Sequence, residues 1–349
     1  MAYTTIDDPE AHFQTVLYTG NTTARDITFT GTNDMQPDLV WIKERSAVEG
    51  HKIFDAVRGA TKLVQSSSAN AEQTNATSLT AFNSDGFSLG TDSGDIVNED
   101  GITHVAWCWK AGNGTATNTT GDKDSTVSVN TAAGISIVKW ENDTSDAISI
   151  GHSLGAIPDA VIVKELGDAT NWHSRWKGFA ANDYISLNST EAKGASTAVF
   201  ATLPTSALFY TGTAAYHINA NLIAYCFTSI QGFSKIGSFI GNGNADGPMV
   251  YTGFSPAYVV VKNSGGSEAW NVWNNKTPGY NVANKNLQPN STAAEQTSSA
   301  GVKEIDFLSN GFKIRGSNTE LNQSGNTHIY MAFAEAPLVN SKGVPCTAR

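Results

Sequence analysis

One pattern returns three times in this chain and limits what it can fold into. A proline is followed by an apolar run that ends in lysine, as Pro-Asp-Leu-Val-Trp-Ile-Lys at 37–43, Pro-Asp-Ala-Val-Ile-Val-Lys at 158–164 and Pro-Ala-Tyr-Val-Val-Val-Lys at 256–262. Each anchor is preceded by a short apolar segment, at 13–18, 135–140 and 233–240. Each is followed by a Trp- or Phe-containing segment that runs into a stretch rich in Asn, Ser, Thr, Ala and Glu, at 66–74, 187–192 and 288–297. Each copy closes on an aromatic strand, His104–Trp109, Leu222–Phe227 or His328–Phe333. The same blocks in the same order three times are the signature of tandem units.

The turn chemistry separates the copies. Phe82-Asn-Ser-Asp-Gly-Phe87 and Phe307-Leu-Ser-Asn-Gly-Phe312 carry the Asp-Gly and Asn-Gly pairs that accept positive φ in a two-residue hairpin turn. The second copy has Leu-Pro-Thr-Ser-Ala-Leu at 203–208 instead. The runs are short, β-branched and aromatic, and bounded by Gly, Asn, Asp and Ser, which predicts strands. Ser136-Ile-Val-Lys-Trp140 alternates with period two, whereas the anchors read as strands covered on both faces. The expectation is an all-β chain of three tandem antiparallel β-sandwich, jelly-roll-like domains at 1–112, 133–230 and 231–337. Residues 113–132, almost without large apolar side chains, are expected to be a linker or long surface loop, and 338–349 a tail running over a surface. The tight join near 228–232 predicts close packing of copies two and three, with copy one more loosely tethered.

Composition excludes several function classes. Charged residues are 15% of the 349 and the formal net charge is −10, with no run of basic residues, which argues against a nucleic-acid partner. No apolar stretch reaches the roughly 18 residues of a membrane span, so membrane insertion is not expected. The N-terminus shows no basic and apolar signal regions, so any work outside a cell implies release by a route such as lysis. The small-polar composition, with 32 glycines, suits an extracellular or particle-bound protein. Cys108, Cys226 and Cys346 are too widely spaced for a CxxC pair, and the first two sit inside apolar strands as small hydrophobes.

Few residues carry chemistry. Gly151-His-Ser-Leu-Gly155 fits the G-x-S-x-G elbow of esterases, but a strand follows it where the elbow needs a helix, so Ser153 is expected in an ordinary turn. His12, His51, His104, His152, His173, His217 and His328 form no HxH or HExxH pair, and His104 and His328 share a strand-start position that implies a structural role. Asp92, Asp95, Glu99 and Asp100 share one glycine-containing loop without EF-hand spacing; it is expected to be solvated, and no metal or cofactor is predicted. No pair of acids is singled out for glycoside hydrolysis. Trp172, Trp176, Trp270 and Trp273 lie outside the strongest strands; core packing is the commoner use of Trp, and stacking on a glycan or receptor the alternative. Asn21, Asn75, Asn188 and Asn290 open Asn-x-Ser/Thr triplets, which mean little in so Asn/Thr-rich a chain.

The series Pro-Asp-Leu-Val-Trp-Ile-Lys, Phe-Asp-Ala-Val-Arg-Gly-Ala (54–60), Phe-Asn-Ser-Asp-Gly-Phe-Ser-Leu-Gly and Val-Ala-Trp-Cys-Trp-Lys-Ala-Gly resembles a repeated domain of structural proteins in tailed bacteriophages, marine ones especially. Gly-His-Ser-Leu-Gly-Ala-Ile-Pro-Asp-Ala-Val-Ile-Val-Lys is similar to a hairpin of phage tail-fibre modules, and 340–349 to the termini of that group. The resemblance implies a non-enzymatic virion component: a tail-tip or fibre-type protein contacting the host surface, or a capsid decoration or head-fibre protein. A glycan-acting hydrolase is the remaining class. The implied partners are other virion proteins and a host-surface glycan or receptor. A homo-oligomer is expected, although three copies can also seat one chain at a pseudo-threefold position.

Overall fold

The computed structural model describes residues 3–346 apart from positions 93, 95, 214, 215 and 217, so Asp95 and His217 lie outside the described residues. The chain is all-β, as expected. Among the described residues the helical elements are single turns, Pro9–Ala11 and Thr319–Asn322, and the paired strands run antiparallel.

The same strand order recurs in each sequence copy. An opening strand (Phe13–Thr19, Ile135–Asn142, Ser234–Ile240) pairs with the closing strand (Thr103–Trp109, Ala220–Phe227, Thr327–Pro337). The closing strand pairs with the anchor (Leu39–Glu44, Ala160–Glu165, Phe254–Asn263), and the anchor with a follower strand (Lys52–Asp55, His173–Trp176, Asn271–Asn274). A smaller sheet repeats as well: Arg25–Ile27 with Gly86–Leu89, Ile148–Gly151 with Leu208–Thr211, and Met249–Tyr251 with Gly311–Ile314. The hairpins on Leu79–Asn83 and Ile305–Leu308 turn at Ser84-Asp85 and Ser309-Asn310, one residue before the expected pairs, while Gly86, at φ +104, and Gly311 open the returning strands opposite Asn83 and Leu308.

Period-two alternation explains why the anchors read as apolar throughout. Val40 and Ile42 face a cluster with Ile27 and Phe87, and Val161 and Val163 one with Ile148 and Phe209. Leu39 and Trp41, Ala160 and Ile162, and Tyr258 and Val260 point the other way, into one cluster that all three copies share. Trp109, Phe227 and Phe333 lie opposite Leu39, Ala160 and Tyr258 in register, and their rings meet pairwise, edge to face, at 6.4, 5.5 and 5.9 Å. Each such side chain contributes about 1.5–3 kcal/mol on burial. A small apolar cavity of about 20 Å³ remains beside them, lined by Trp41 and Trp109, Ile162 and Tyr225, and Tyr258 and Met331.

The copies also join through a ring of backbone hydrogen bonds. Glu72 N–H donates to Leu166 O at 2.8 Å, Lys193 N–H to Ser264 O at 2.9 Å, and Glu295 N–H to Arg45 O at 2.7 Å. Arg45, Leu166 and Ser264 are each the second residue past the anchor lysine. One contact repeated from the first copy to the second, second to third and third to first is a head-to-tail interface that closes.

Two expectations change. Residues 113–132 do not form a free linker: Ala116–Asn118 and Ser125–Asn130 add two strands to the edge of the Ile135–Asn142 strand, making an eight-stranded sheet. Ser125–Asn130 pairs on both sides, with Ala116–Asn118 at the sheet edge, and packs on the core through Val127 and Val129. Copy one is not loosely held. Phe13 stacks on Phe333 at 5.2 Å, Trp107 meets Tyr258 at 5.5 Å, and Arg45 forms a two-pronged ion pair with Glu295, both contacts at 2.9 Å. The tail lies on the N-terminal segment, where Asp7 accepts from the Ser341 N–H at 2.6 Å.

Candidate functional site

The four tryptophans offered as glycan-stacking candidates are all buried: Trp172 and Trp273 at 0% exposure, Trp270 at 1% and Trp176 at 3%. A ring without an exposed face cannot stack on a sugar, so that expectation is withdrawn. Three of the four hold the copies together. Trp172 Nε1–H donates to Gln65 O of copy one at 2.8 Å, Trp270 Nε1–H donates to Ser186 O of copy two at 3.1 Å, and Trp176 packs on Trp270 at 5.6 Å.

His51 occupies the matching slot in copy one, eight residues past Lys43 as Trp172 and Trp270 are past Lys164 and Lys262. Its Nδ1 accepts from Trp41 Nε1–H at 2.9 Å, which leaves the proton on Nε2. Burial first, then the Lys43 charge, pushes His51 well below its ordinary value, so it is neutral. The triplet asparagines 188 and 290 are structural here, since their Oδ1 atoms accept from the Trp172 and Trp270 amides, each at 2.9 Å.

The lysine ending each anchor is buried, and its Nζ donates to the next carbonyl: Glu44 O at 2.6 Å, Glu165 O at 2.5 Å and Asn263 O at 2.6 Å. A second carbonyl four residues on, of Ala47, Asp168 or Gly266, stands at 3.4, 3.2 or 3.0 Å. The ammonium thus gathers the loop that receives the inter-copy hydrogen bond. Burial is the main cause that lowers all three lysines to about 8. Arg58 and Asp55 make a second buried ionic centre at 2.5 Å, with Tyr225 OH of copy two donating to Asp55 at 2.8 Å.

The enzyme-like motif sits in a turn. Ser153 has φ +59, a strand and no helix follows at 160–165, and its hydroxyl accepts from Asn118 Nδ2 at 2.7 Å. His152 is buried, with Nδ1 occupied by the Leu154 N–H at 3.2 Å. His104 and His328 do share a role. Each Nδ1 meets a carbonyl two residues back, and the rings stack on Tyr18 and Phe239 at 4.8 and 5.1 Å. In the acidic loop, Asp92 is buried and not solvated, and one oxygen accepts from the amides of Ile96, Val97 and Asn98 at 2.6–2.7 Å. Among the described residues no group of three His, Cys, Asp or Glu side chains is placed to hold a metal ion.

Among the described residues, the surface clefts of a ligand's size include two. One, of about 370 Å³, lies in copy two between exposed Ile157 and Leu203, over Trp176 and Phe179, with Lys177 paired to Asp159 at 2.9 Å. It lies beside the segment where copy two lacks the Asp/Asn-Gly turn. The other, of about 310 Å³, joins Tyr3 of the N-terminal segment to Ser229, Gln231, Lys235, Tyr251 and Thr252. Lone tyrosines far apart in sequence carry no motif, so nothing in the sequence pointed to this cleft. Among the described residues no helix is long and apolar enough to cross a membrane.

No curated protein and no solved structure matches the chain. A family described as Domain of unknown function (DUF7483) matches residues 8–337, from before the first opening strand to the end of the last closing strand, and the chain belongs to that family.

Proposed function

We propose that the chain is a non-catalytic structural protein of a tailed-phage virion, a tail-tip or fibre-type component that contacts the host surface. Its body would be three tandem antiparallel β-sandwiches closed into one pseudo-threefold unit. The observation that carries this is the three-membered ring of inter-copy hydrogen bonds, with one contact repeated at each seam. A threefold body made by one chain suits a threefold position on a particle and does not need three chains to build it. The resemblance of the anchor and hairpin segments to phage structural modules supports the same reading. Capsid decoration is the second reading, since a pseudo-threefold body also suits a threefold position on a head. The hydrolase reading has least support: Asn118 holds the Ser153 hydroxyl and the adjacent His152 ring nitrogen is occupied by a backbone amide.

Immunogold labelling of purified particles tests this. Label at the tail tip is expected, label on the head would favour decoration, and particles without label would overturn the virion reading. Sedimentation of the purified chain separates the two assembly readings: a trimer or other closed oligomer supports the homo-oligomer, and a monomer supports a single chain at a pseudo-threefold position.

A further inference from the structure

We propose that the cleft between Tyr3, Lys235 and Tyr251 is a saccharide-binding site that prefers an acidic sugar; this deepens, and rests on, the host-contact reading. The argument begins with how the three copies differ at matching positions. Tyr251 follows Val250, which pairs with Phe312. The residues at the same register in the other copies are Thr28 and Gly151. Lys235 lies opposite Ala332, where copies one and two place the buried residues Gln14 and Ser136 opposite Cys108 and Cys226. Elsewhere matching slots hold buried residues that close the ring. Here one copy alone presents an aromatic side chain at 54% exposure beside a cation.

The hydroxyl geometry is defined by proton count. Tyr3 OH donates its only proton to Gly253 O at 2.8 Å. The 3.3 Å contact between the two phenols therefore has Tyr251 as donor and Tyr3 as acceptor. The lone pairs of Tyr251 are left for a hydroxyl donor in the cleft. Burial, then the Tyr251 hydroxyl, pushes Tyr3 up to about 12, so it stays a neutral phenol at physiological pH. Gly253, at φ +86, is required for this approach, because a Cβ there would stand 2.6 Å from the Tyr3 oxygen.

The chemistry presented matches a pyranose. An exposed tyrosine face takes the C–H face of a sugar ring, while Gln231 and Ser229 offer amide and hydroxyl groups at the rim. The lining includes one cation and no carboxylate, in a chain of net charge −10. Among the described residues no carboxylate pairs with Lys235, so its ammonium is available to a sugar acid.

Ligand-observed NMR and calorimetry on the full chain, with glucuronic acid, N-acetylneuraminic acid and glucose as probes, test the site. The acids are expected to bind more tightly than glucose. Tyr251→Ala should weaken all three probes about tenfold, the equivalent of one lost stacking contact, with the melting temperature unchanged. Tyr251→Phe should keep most of the affinity. Lys235→Met should abolish the preference for acids while leaving glucose binding as it was. Equal affinity in wild type and Tyr251→Ala, or no binding of any probe, overturns the proposal. If sugars bind and no label appears on particles, the site stands and the host-contact reading fails.

Discussion

Trp172 reaches from the second copy into the first and places its indole N–H 2.8 Å from the carbonyl of Gln65. That carbonyl belongs to the chain just past the short Lys62–Leu63 strand, so the bond fixes the seam and not only the tryptophan. Trp172→Phe keeps most of the ring and leaves the carbonyl without its donor, which costs about 1–3 kcal/mol. Trp273 is the control, because its Nε1 is buried with no partner among the described residues. Trp273→Phe removes an orphaned donor and should cost less than Trp172→Phe in denaturant unfolding. Equal costs would mean that ring volume alone matters at the seam.

Arg58 and Asp55 of copy one sit under Tyr225 of copy two with almost no solvent contact, at 1% and 0% side-chain exposure. Burial works against the Arg58 charge, but Asp55, Tyr225 and Glu72 outweigh it and hold the guanidinium charged. Arg58→Met would strand the Asp55 carboxylate and should cost about 3–5 kcal/mol. Adding Asp55→Asn to that variant should recover part of the loss. No recovery would show that Arg58 acts through its contact with the Ile53 carbonyl at 2.9 Å.

The three anchor lysines give the protein a stability that rises with pH. Their folded values of about 8 lie below the ordinary 10.5, so between those values the unfolded chain holds more protons. Stability should therefore increase from pH 8 towards 10. Above that the buried tyrosines Tyr18, Tyr225 and Tyr258, raised mainly by burial, reverse the slope. His51 and His173, lowered mainly by burial, act in the same direction as the lysines at lower pH: stability should fall as pH drops below about 6.5. Melting temperatures across pH 5–10 test both windows, and Lys43→Met, Lys164→Met and Lys262→Met combined should flatten the upper one.

Particular residues show what the sequence could and could not disclose. The anchor lysines were visible because each ammonium binds the same two loop carbonyls in every copy, and Gly86 and Gly311 because a Cβ there would stand 2.0 or 2.1 Å from a facing carbonyl oxygen, although the turns fall one residue earlier. The ring of copies was not. Its hydrogen bonds use main-chain groups of Glu72, Lys193 and Glu295, which leave no trace in side-chain identity. His51 stands where the other copies have tryptophan, which concealed a shared slot behind different chemistry. The strand Ser125–Asn130 escaped notice because half of it is serine and threonine and only Val127 and Val129 carry its apolar packing. The Tyr3–Tyr251 cleft joins residues 248 positions apart, and only closure of the ring brings them together.

Ser153 provides the sharpest separation between a turn and a nucleophile. At φ +59 a serine pays a steric penalty that glycine does not. Its hydroxyl has one cross-loop contact, with Asn118, and the residue is exposed. Ser153→Gly should therefore be neutral or stabilising by up to about 1 kcal/mol, the strain relief being partly offset by the lost contact and by backbone entropy. A nucleophile would respond differently, since the glycine variant would lose any esterase turnover measured with p-nitrophenyl esters. Melting curves and that assay on the same two proteins decide between the outcomes. A raised or unchanged melting temperature with no change in ester turnover is expected, because Leu154 N–H already occupies the ring nitrogen that the neighbouring His152 would need as a base.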